Sequence, residues 1–541
     1  MPILFSPCPL PHDSQGQSPS NRRWLKILAL CSAACLSTLA SGAVKTTSGK
    51  VSGIEEQGII AYKGIPYAAP PVGKLRWKAP QPPRKWKGVR KADSYGATCP
   101  QTPAPWEQGP LKYAHMSEDC LFLNVYTPQT PSDKPLPVMV WIHGGGFSWG
   151  SSEDAYQHGS GLVPQGVILV TFNYRLGPLG SFDYPGLNSR DKLRGNYQLM
   201  DQQAALKWVQ RNIAAFGGNE ENVTLFGDSA GGWSVMGHLS SPKAKGLFHK
   251  AIVQSGTFNT MPSRQLATSK PGLPSLQDIG RHVAEQLGLE GDDIAEQLRQ
   301  VPAQKLIEVG LSPFGQMSYG PVADGKLLPE DPLKAWPVRI ENPVPIIMGL
   351  TSLEGVLMSL LTNAELKALL APYDERELTE LYGKQPFREI ARLVWEDRMS
   401  YEPTRRYLRA AAAQAPAIYS YHFDYVAQSM AGALPGAPHG TDVPYVFRTL
   451  DIAAKEDPMP GYSVADKDRQ VSDIVSAYWV EFAKSGNPNK KGLPTWPRYT
   501  DKTEITLEIG DTFQQKPAFL ARRLDFYSTF ADKSEKGSQL H

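Results

Sequence analysis

One short segment constrains the fold of this 541-residue chain more than any other: Gly227-Asp228-Ser229-Ala230-Gly231 follows directly on the apolar run Val223–Phe226. An apolar run of this length is typical of a strand that is buried on both faces. The Gly-x-Ser-x-Gly pattern at its end predicts a sharp turn from a strand into a helix, with small residues where the turn is crowded. Such a turn exposes the hydroxyl of Ser229, which makes Ser229 a candidate nucleophile.

The same pattern occurs a second time, at Gly146-Phe147-Ser148-Trp149-Gly150. No fresh strand immediately precedes Ser148, so this match lacks the strand–turn–helix context that the chemistry requires. We therefore interpret Ser148 as a serine in a structural turn and choose Ser229 as the nucleophile.

The rest of the chain predicts a parallel sheet with helices around it. A helix from about Tyr197 to Phe216 lies between two predicted strands, and this strand–helix–strand order is typical of parallel sheets. Residues 262–380 mix amphipathic helices with Pro-rich turns and predict a cap-like layer. No linker divides residues 44–541, which we take as a single domain. The further predicted strands are Val138–Ile142, Val167–Phe172, Ala251–Val253, Pro345–Met348 and Ile418–Phe423.

Residues 1–43 have the three parts of a secretory signal: a basic region, an apolar stretch at Ile27–Ala40, and small residues at 41–43. The apolar stretch is shorter than the roughly 20 residues that span a bilayer. We therefore predict a cleaved signal and a secreted or periplasmic protein without a stable membrane span. The basic pair Arg22-Arg23 leaves a twin-arginine route open, and a lipoprotein linked through Cys35 is the lesser alternative.

Two cysteines, Cys99 and Cys120, remain beyond this prefix. A lone pair in an oxidising compartment tends to be bonded, so we expect a disulfide, with two free buried thiols as the alternative. The net charge of +3 is small for the length and gives no reason to expect nucleic acid or an anionic membrane as a partner. No metal-ligand cluster is evident, and we expect no cofactor or metal.

The segment His143-Gly144-Gly145-Gly146 follows the predicted strand that ends at Ile142. Consecutive glycines allow backbone N–H groups to turn inward, as a developing oxyanion requires. Gly145 and Gly146 are predicted to supply two donors, and Ala230, directly after the nucleophile, a third.

Hydrolases built on such a turn order their catalytic residues as Ser, acid, His along the chain. Three histidines lie far enough downstream: His422 inside a predicted strand, His439 in a Pro/Gly-rich loop, and His541 at the last position. We favour His439, because hydrolases of this kind carry their catalytic base on a loop past the end of a strand. For the acid we favour Glu354, which follows the strand Pro345–Met348, over Asp324, whose Asp-Gly context is typical of a turn.

Together these residues resemble the type B carboxylesterase family, which includes cholinesterases and bacterial nitrobenzyl esterases. The likeness covers nearly all of residues 44–527, and its most specific segments are Glu118–Leu121, Gly227–Gly232 and His439–Phe447. Two departures are Asp228, where many members have Glu, and Trp233, where cholinesterases have a small residue. We therefore do not transfer choline specificity.

The resemblance implies an α/β-hydrolase fold, with a large, mostly parallel sheet flanked by helices and a helical cap-like insertion. It implies a catalytic triad, three oxyanion donors, a disulfide and a buried serine that supports the acid. The triad of the family maps onto Ser229, Glu354 and His439, and its oxyanion donors map onto Gly145, Gly146 and Ala230. Its disulfide maps onto Cys99 and Cys120, and the supporting serine maps onto Ser255.

The expected activity is hydrolysis of small to medium carboxylic esters through an acyl-enzyme, with a small-molecule ester as the partner. The alternatives are a catalytically inactive binding protein of the same family, or a lipase, amidase or thioesterase that uses the same triad. The oligomeric state is left open.

Overall fold

The computed structural model describes residues 42–105, 112–113, 115–187, 193–257, 264–269, 273–310, 319–336, 338–355, 361–456 and 461–528. The predicted export signal up to residue 41, with Arg22-Arg23 and Cys35, lies outside the described residues, as does His541. Among the described residues, no helix combines the length and the apolar character needed to cross a membrane.

In the described part of the chain, eighteen strands belong to one large sheet and three small ones. They are β1 Val44–Lys45, β2 Lys50–Ser52, β3 Ile54–Glu56, β4 Ile59–Pro66, β5 Val89–Lys91, β6 Phe122–Pro128, β7 Leu136–Ile142, β8 Ile168–Phe172, β9 Ser181–Phe182, β10 Gly195–Asn196, β11 Gly218–Asp228, β12 Lys250–Gln254, β13 Arg264–Gln265, β14 Val322–Ala323, β15 Ile346–Thr351, β16 Ile418–Phe423, β17 Thr506–Ile509 and β18 Phe513–Lys516.

The large sheet has the strand order β18-β17-β16-β15-β12-β11-β7-β8-β6-β4-β3. The strands from β17 to β8 run parallel to one another, whereas β18 at one edge and β6, β4 and β3 at the other edge pair antiparallel. The carboxyl ends of β7, β11, β12 and β15 therefore meet at one edge of the sheet, where α/β folds bind their ligands.

The α-helices are α1 Gly177–Gly180, α2 Tyr197–Asn212, α3 Ala230–Leu239, α4 Leu276–Gln286, α5 Ile294–Gln300, α6 Ala303–Gly310, α7 Pro332–Ala335, α8 Asn363–Leu370, α9 Glu375–Tyr382, α10 Phe387–Glu396, α11 Glu402–Ala412, α12 Val443–Phe447, α13 Leu450–Glu456 and α14 Asp466–Ser485. Local chemistry sets several ends. Ser275 begins α4 with a capping box, and Gly486, at φ 76°, ends α14.

Both faces of the sheet are covered, as the alternation along β7 shows. Val138, Val140 and Ile142 pack in one core with residues of α2 and α3, whereas Met139 and Trp141 pack in a second core with residues of α12 and α14. A strand whose alternate residues enter two cores has to be apolar throughout, which is why the sequence run is continuous. The α/β-hydrolase fold expected from the sequence is confirmed.

The predicted elements are found with shifted ends. The helix expected at Tyr197–Phe216 is α2 followed by a 3-10 turn at Ile213–Phe216. The strand at Val223–Phe226 is the end of β11, and β7 lies between it and β8 in the sheet. In the region expected to be cap-like, helices α4 to α7 precede the core strand β15 along the chain, and α8 and α9 follow it.

Cys99 and Cys120 are joined in a disulfide with a sequence separation of 21, so the expected bond is confirmed and the alternative of two free thiols is wrong. Both residues lie in the core beside β6. The bond closes the loop that leads into this antiparallel strand.

Replacing both residues, Cys99→Ser with Cys120→Ser, is expected to lower the unfolding free energy by about 3 kcal/mol, because the unfolded chain regains the entropy of a loop of this length. In a domain of this size the loss corresponds to a decrease of about 3 °C in Tm. Thermal unfolding followed by circular dichroism measures it. An identical Tm for the double variant, the wild type and the reduced wild type would contradict the prediction.

Candidate active site

The turn after β11 places Ser229 in a backbone conformation that few residues other than glycine adopt, with φ 57° and ψ −122°. Positive φ costs free energy in a residue with a Cβ, so it persists only where the surroundings impose it. Here the Ser229 N–H donates to the Gln254 carbonyl of β12 at 2.9 Å, and the Ser229 carbonyl accepts from the Trp233 N–H at 2.9 Å. The side chain of Ser229 is partly exposed, at the first residue before α3.

The glycines around Ser229 allow the backbones of three elements to come close together. A Cβ on Gly231 would lie 2.0 Å from the Ile142 carbonyl oxygen, and one on Gly232 would lie 2.5 Å from the Gln254 carbonyl oxygen. A Cβ on Gly227 would lie 2.6 Å from the Gly231 carbonyl carbon. Only glycine fits at these positions, and this explains the Gly-x-Ser-x-Gly-Gly pattern.

The glycine loop after β7 lies against this turn. A Cβ on Gly144 would be 3.2 Å from the Cβ of Ser229, and Gly145, Gly146 and Phe147 all have positive φ. The Gly145 carbonyl accepts from the Ser148 and Trp149 N–H groups, which folds the loop back on itself. Within the described part of the chain, the N–H groups of Gly145, Gly146 and Ala230 donate to no protein acceptor.

His143 anchors the start of this loop as a neutral ring. It stacks on Tyr174 with 4.4 Å between ring centroids, and the Tyr174 hydroxyl donates to the His143 carbonyl at 2.9 Å. Burial lowers the pKa of His143 to about 4. Its Nδ1 lies 2.9 Å from the Gly144 carbonyl, so a neutral ring with the proton on Nδ1 can donate there.

Glu354 lies just beyond β15, and its side chain is fully buried. Its Oε1 accepts three hydrogen bonds, from the Ser255 hydroxyl at 2.6 Å, the Thr351 N–H at 2.8 Å and the Thr351 hydroxyl at 2.9 Å. Its Oε2 lies 2.7 Å from Nδ1 of His439. A buried carboxylate needs this many partners to stay charged.

The loop that contains His439 is hydrogen-bonded to the turn that precedes Glu354. The His439 N–H donates to the Leu353 carbonyl at 3.2 Å, and the Leu353 N–H donates to the Ala437 carbonyl at 2.9 Å. The Ser352 hydroxyl also accepts from the Ala437 N–H, at 2.8 Å. A Cβ on Gly440 would lie 3.5 Å from Oδ2 of Asp228, so this loop also approaches the residue before the candidate nucleophile.

The Glu354–His439 pair favours the ionised state of both groups. Burial alone raises the pKa of Glu354, but the charge and hydrogen bond of His439, followed by the Ser255 and Thr351 bonds, bring that pKa below its usual value. Burial lowers the pKa of His439, but Glu354, followed by Asp228 and Asp442, raises it to about 9. This exceeds the value near 6 to 7 expected for an ordinary histidine.

Two further buried carboxyl groups lie near the pair. Asp228 is 8% exposed, and burial together with Asp442 and Glu354 raises its pKa to about 8 against the opposing effect of His439. Oδ2 of Asp442 accepts from Gln254 and from the Tyr421 hydroxyl, both at 3.0 Å. Burial raises the pKa of Asp442 and the charge of Glu354 adds to this, against the lowering effect of these two hydrogen bonds and of His439. The local charge thus depends on pH.

The competing candidates from the sequence have other surroundings. Oδ1 of Asp324 accepts the N–H groups of residues 326, 327 and 328, as a carboxylate does in a tight turn. His422 is buried within β16, and its Nε2 lies 3.0 Å from the Tyr401 hydroxyl. Ser148 is 6% exposed, beyond the glycine loop.

Sequence reasoning missed two groups that hold the carboxylate of Glu354, the candidate acid, in place. Thr351 provides two of the donors to Glu354, and the Tyr401 hydroxyl donates to the Thr351 carbonyl at 2.9 Å. The contact of Thr351 could have been predicted, because Thr351 lies only three residues before Glu354 in the sequence. Tyr401 follows α10, and nothing in the local sequence connects it with residue 351.

Gly231→Ala is expected to disrupt the turn, because its Cβ would overlap a backbone oxygen that cannot move aside. We expect either insoluble protein or a clearly lower Tm with little ester hydrolysis. The matched control is Gly237→Ala on the same helix, where the nearest contact is the Trp233 ring at 3.2 Å. That variant should keep a Tm near the wild-type value, since alanine favours a helix. A normally folded Gly231→Ala protein would refute the steric explanation.

Several known proteins are similar to this chain in sequence and fold. A family model described as the carboxylesterase family matches residues 40–392 and 375–527. The para-nitrobenzyl esterase of Bacillus subtilis (strain 168) is 38% identical over 481 residues, which cover 86% of this chain and 94% of that protein. The pyrethroid hydrolase Ces2e of Rattus norvegicus is 34% identical, with 90% of this chain and 88% of that protein covered.

A third relative, the fumonisin B1 esterase of Sphingopyxis macrogoltabida, is 35% identical, with 85% of each chain covered. Among solved structures, a PNB esterase matches with a TM-score of 0.75 and 34% identity over 90% of this chain and 99% of its own. The identities and coverage extend over nearly the whole described chain. The chain therefore belongs to the carboxylesterase family and is a carboxylic-ester hydrolase.

Proposed function

We propose that this enzyme hydrolyses small to medium carboxylic esters through a Ser229–His439–Glu354 triad and a covalent acyl-enzyme. The observation that carries the proposal is the 2.7 Å hydrogen bond between Nδ1 of His439 and Oε2 of buried Glu354. The loop that holds His439 also approaches Asp228, the residue before Ser229. Because an ionised carboxylate only accepts, Nδ1 holds the proton of a neutral ring, and Nε2 then carries the lone pair that can accept a proton.

In the first step, Nε2 of His439 takes the Ser229 proton as the hydroxyl oxygen attacks the ester carbonyl. Glu354 stabilises the imidazolium that forms. The oxyanion receives hydrogen bonds from the N–H groups of Gly145, Gly146 and Ala230, which have no other protein acceptor among the described residues. His439 then protonates the leaving alcohol, and a water molecule repeats the sequence to release the acid.

The named relatives act on chemically different esters, so the family does not fix the acyl or alcohol group. The expectation that no metal or cofactor takes part remains a prediction. Export through residues 1–43, with a single catalytic domain in 44–541, is part of the same proposal. A lipase or amidase specialisation is tested by a rate increase at the micelle threshold and by comparing an ester with its matched amide.

Ser229→Ala is expected to lower kcat for p-nitrophenyl butyrate by about a millionfold, because the variant lacks the oxygen atom that attacks the ester. The matched control is Ser148→Ala, the other Gly-x-Ser-x-Gly serine, which should keep kcat within about threefold of the wild type. Initial rates at saturating ester measure both. Full activity in Ser229→Ala, or a collapse in Ser148→Ala alone, would reject Ser229 as the nucleophile.

The pH dependence of kcat/KM tests whether His439 is the catalytic base. Only neutral His439 accepts a proton, so kcat/KM should fall as the pH decreases through the pKa of His439, which the surrounding carboxylates raise to about 9. The midpoint of the profile should therefore lie above 7. Asp228→Asn should move the midpoint to lower pH, because it removes a negative charge that stabilises the imidazolium.

Rates corrected for spontaneous hydrolysis between pH 6 and 10 measure these midpoints. Asp292→Asn, at an exposed position, is the control and should leave the midpoint unchanged. A rate that is flat across this range, or a midpoint that moves upward in Asp228→Asn, would contradict the role given to His439.

A further inference from the structure

A small sheet outside the main sheet carries an unusual concentration of positive charge. Its strand order is β1-β2-β5, and it has no hydrogen-bonded strand in common with the large sheet. Seven cationic side chains lie on it or on the segment that leads into β5, and all of them are exposed: Lys45, Lys50, Arg84, Lys85, Lys87, Arg90 and Lys91. We call this set the basic sheet.

The cations of the basic sheet are only weakly neutralised, since the charge of Arg90 acts on the Asp119 carboxyl group without a close ion pair. Within the described residues, none of its seven cations forms an ion pair with a carboxylate within 4.0 Å, although exposed cations elsewhere on this protein do, among them Arg281, Lys305, Arg469 and Lys490. The Arg90 guanidinium instead lies over the rings of Trp86, at 5.8 Å, and Phe122, at 6.0 Å. Protein surfaces usually intersperse charges of both signs, so this region attracts anions locally despite the small net charge.

The register of the strands brings like charges together. Lys45 is directly opposite Lys50, and Lys50 is directly opposite Val89. Residues opposite one another point to the same face, and like charges in that arrangement destabilise a sheet. Lys91, two residues beyond Val89, shares this face. The fold therefore keeps an unfavourable arrangement that an external anionic surface would relieve.

The strands present these charges from a fixed position. The Trp86 N–H donates to the Ser48 carbonyl at 2.9 Å, and its indole N–H donates to the Lys50 carbonyl at 2.8 Å. The indole packs so closely on Gly49 that a Cβ there would lie 2.3 Å from Nε1. Trp86 is half-buried with the Arg90 guanidinium over its ring, and Val89, opposite Lys50, is 51% exposed.

We propose that the basic sheet binds the surface of an anionic phospholipid bilayer. Lysines and arginines contact the phosphate headgroups, while Val89 and the edge of Trp86 meet the apolar boundary beneath them. The exposed aliphatic side chain among the cations favours a bilayer over a dissolved polyanion, which offers no apolar layer. This binding is independent of the proposed ester hydrolysis, since no residue of the basic sheet belongs to the candidate active site.

The test is co-sedimentation of the full chain with vesicles of phosphatidylcholine alone or with one quarter phosphatidylglycerol. The variant is Lys85→Glu/Lys87→Glu/Lys91→Glu. The control is Lys334→Glu/Lys384→Glu/Lys502→Glu, which makes the same change in net charge at exposed lysines without ion pairs elsewhere in the described chain. Circular dichroism and p-nitrophenyl butyrate hydrolysis should be unchanged in both, which separates failure here from failure of the proposed function.

We expect wild type and control to bind the anionic vesicles in low salt, with a partition coefficient roughly 100-fold above that of the basic-sheet variant. Binding should weaken at high salt and should need phosphatidylglycerol. Residues 1–43 are common to all three proteins, so they do not contribute to the difference. Equal binding of all three proteins, no binding of wild type, or equal losses in variant and control would overturn the proposal. So would binding to heparin or duplex DNA without binding to vesicles.

Discussion

Close approach of backbone segments at the carboxyl ends of β7, β11 and β12 is the constraint on which the candidate site depends. Gly231 lies against the Ile142 carbonyl and Gly232 against the Gln254 carbonyl, at separations that leave no room for a side chain. That contact fixes Ser229 at positive φ beside the glycine loop, with the strain distributed over hydrogen bonds to neighbouring strands. The rest of the site is assembled around this point.

The charges of buried carboxyl groups are the second feature that determines the properties of the candidate site. Glu354 is buried but remains charged because four donors contact its two oxygens. Its charge raises the pKa of His439, and Asp228 and Asp442 add to the effect. A more basic imidazole holds a proton more firmly once it has accepted it, which favours the attack step, but it is less available at neutral pH. The balance between these effects is set by residues around the proposed triad as well as by its members.

Much of this arrangement could be predicted from the sequence, because the relevant signals are local. A buried strand followed by Gly-x-Ser-x-Gly identifies the turn, and a strand followed by three glycines identifies the loop beside it. The choice of Glu354 over Asp324 depended on the predicted strand Pro345–Met348, which the structure extends to Ile346–Thr351 as β15 and places within the large sheet.

What could not be predicted depends on contacts between distant segments. The donation from Tyr401 to the Thr351 carbonyl joins residues 50 positions apart, and the raised pKa of Asp228 comes from burial beneath loops that are far away in sequence. The length of β11 was underestimated because its first half, Gly218–Asn222, is polar and partly exposed. The basic sheet was hidden by the net charge of +3, which averages positive and negative groups over the whole chain.

The central claim, that Ser229 is the nucleophile activated by His439, is tested most directly by mapping a covalent adduct. The wild-type protein is treated with a fluorophosphonate, digested, and sequenced by tandem mass spectrometry. We predict a single phosphonylated peptide, with the adduct on Ser229 and a labelling rate that rises with pH along the same curve as kcat/KM. An adduct on Ser148 or any other serine, or the absence of labelling in folded protein, would contradict it.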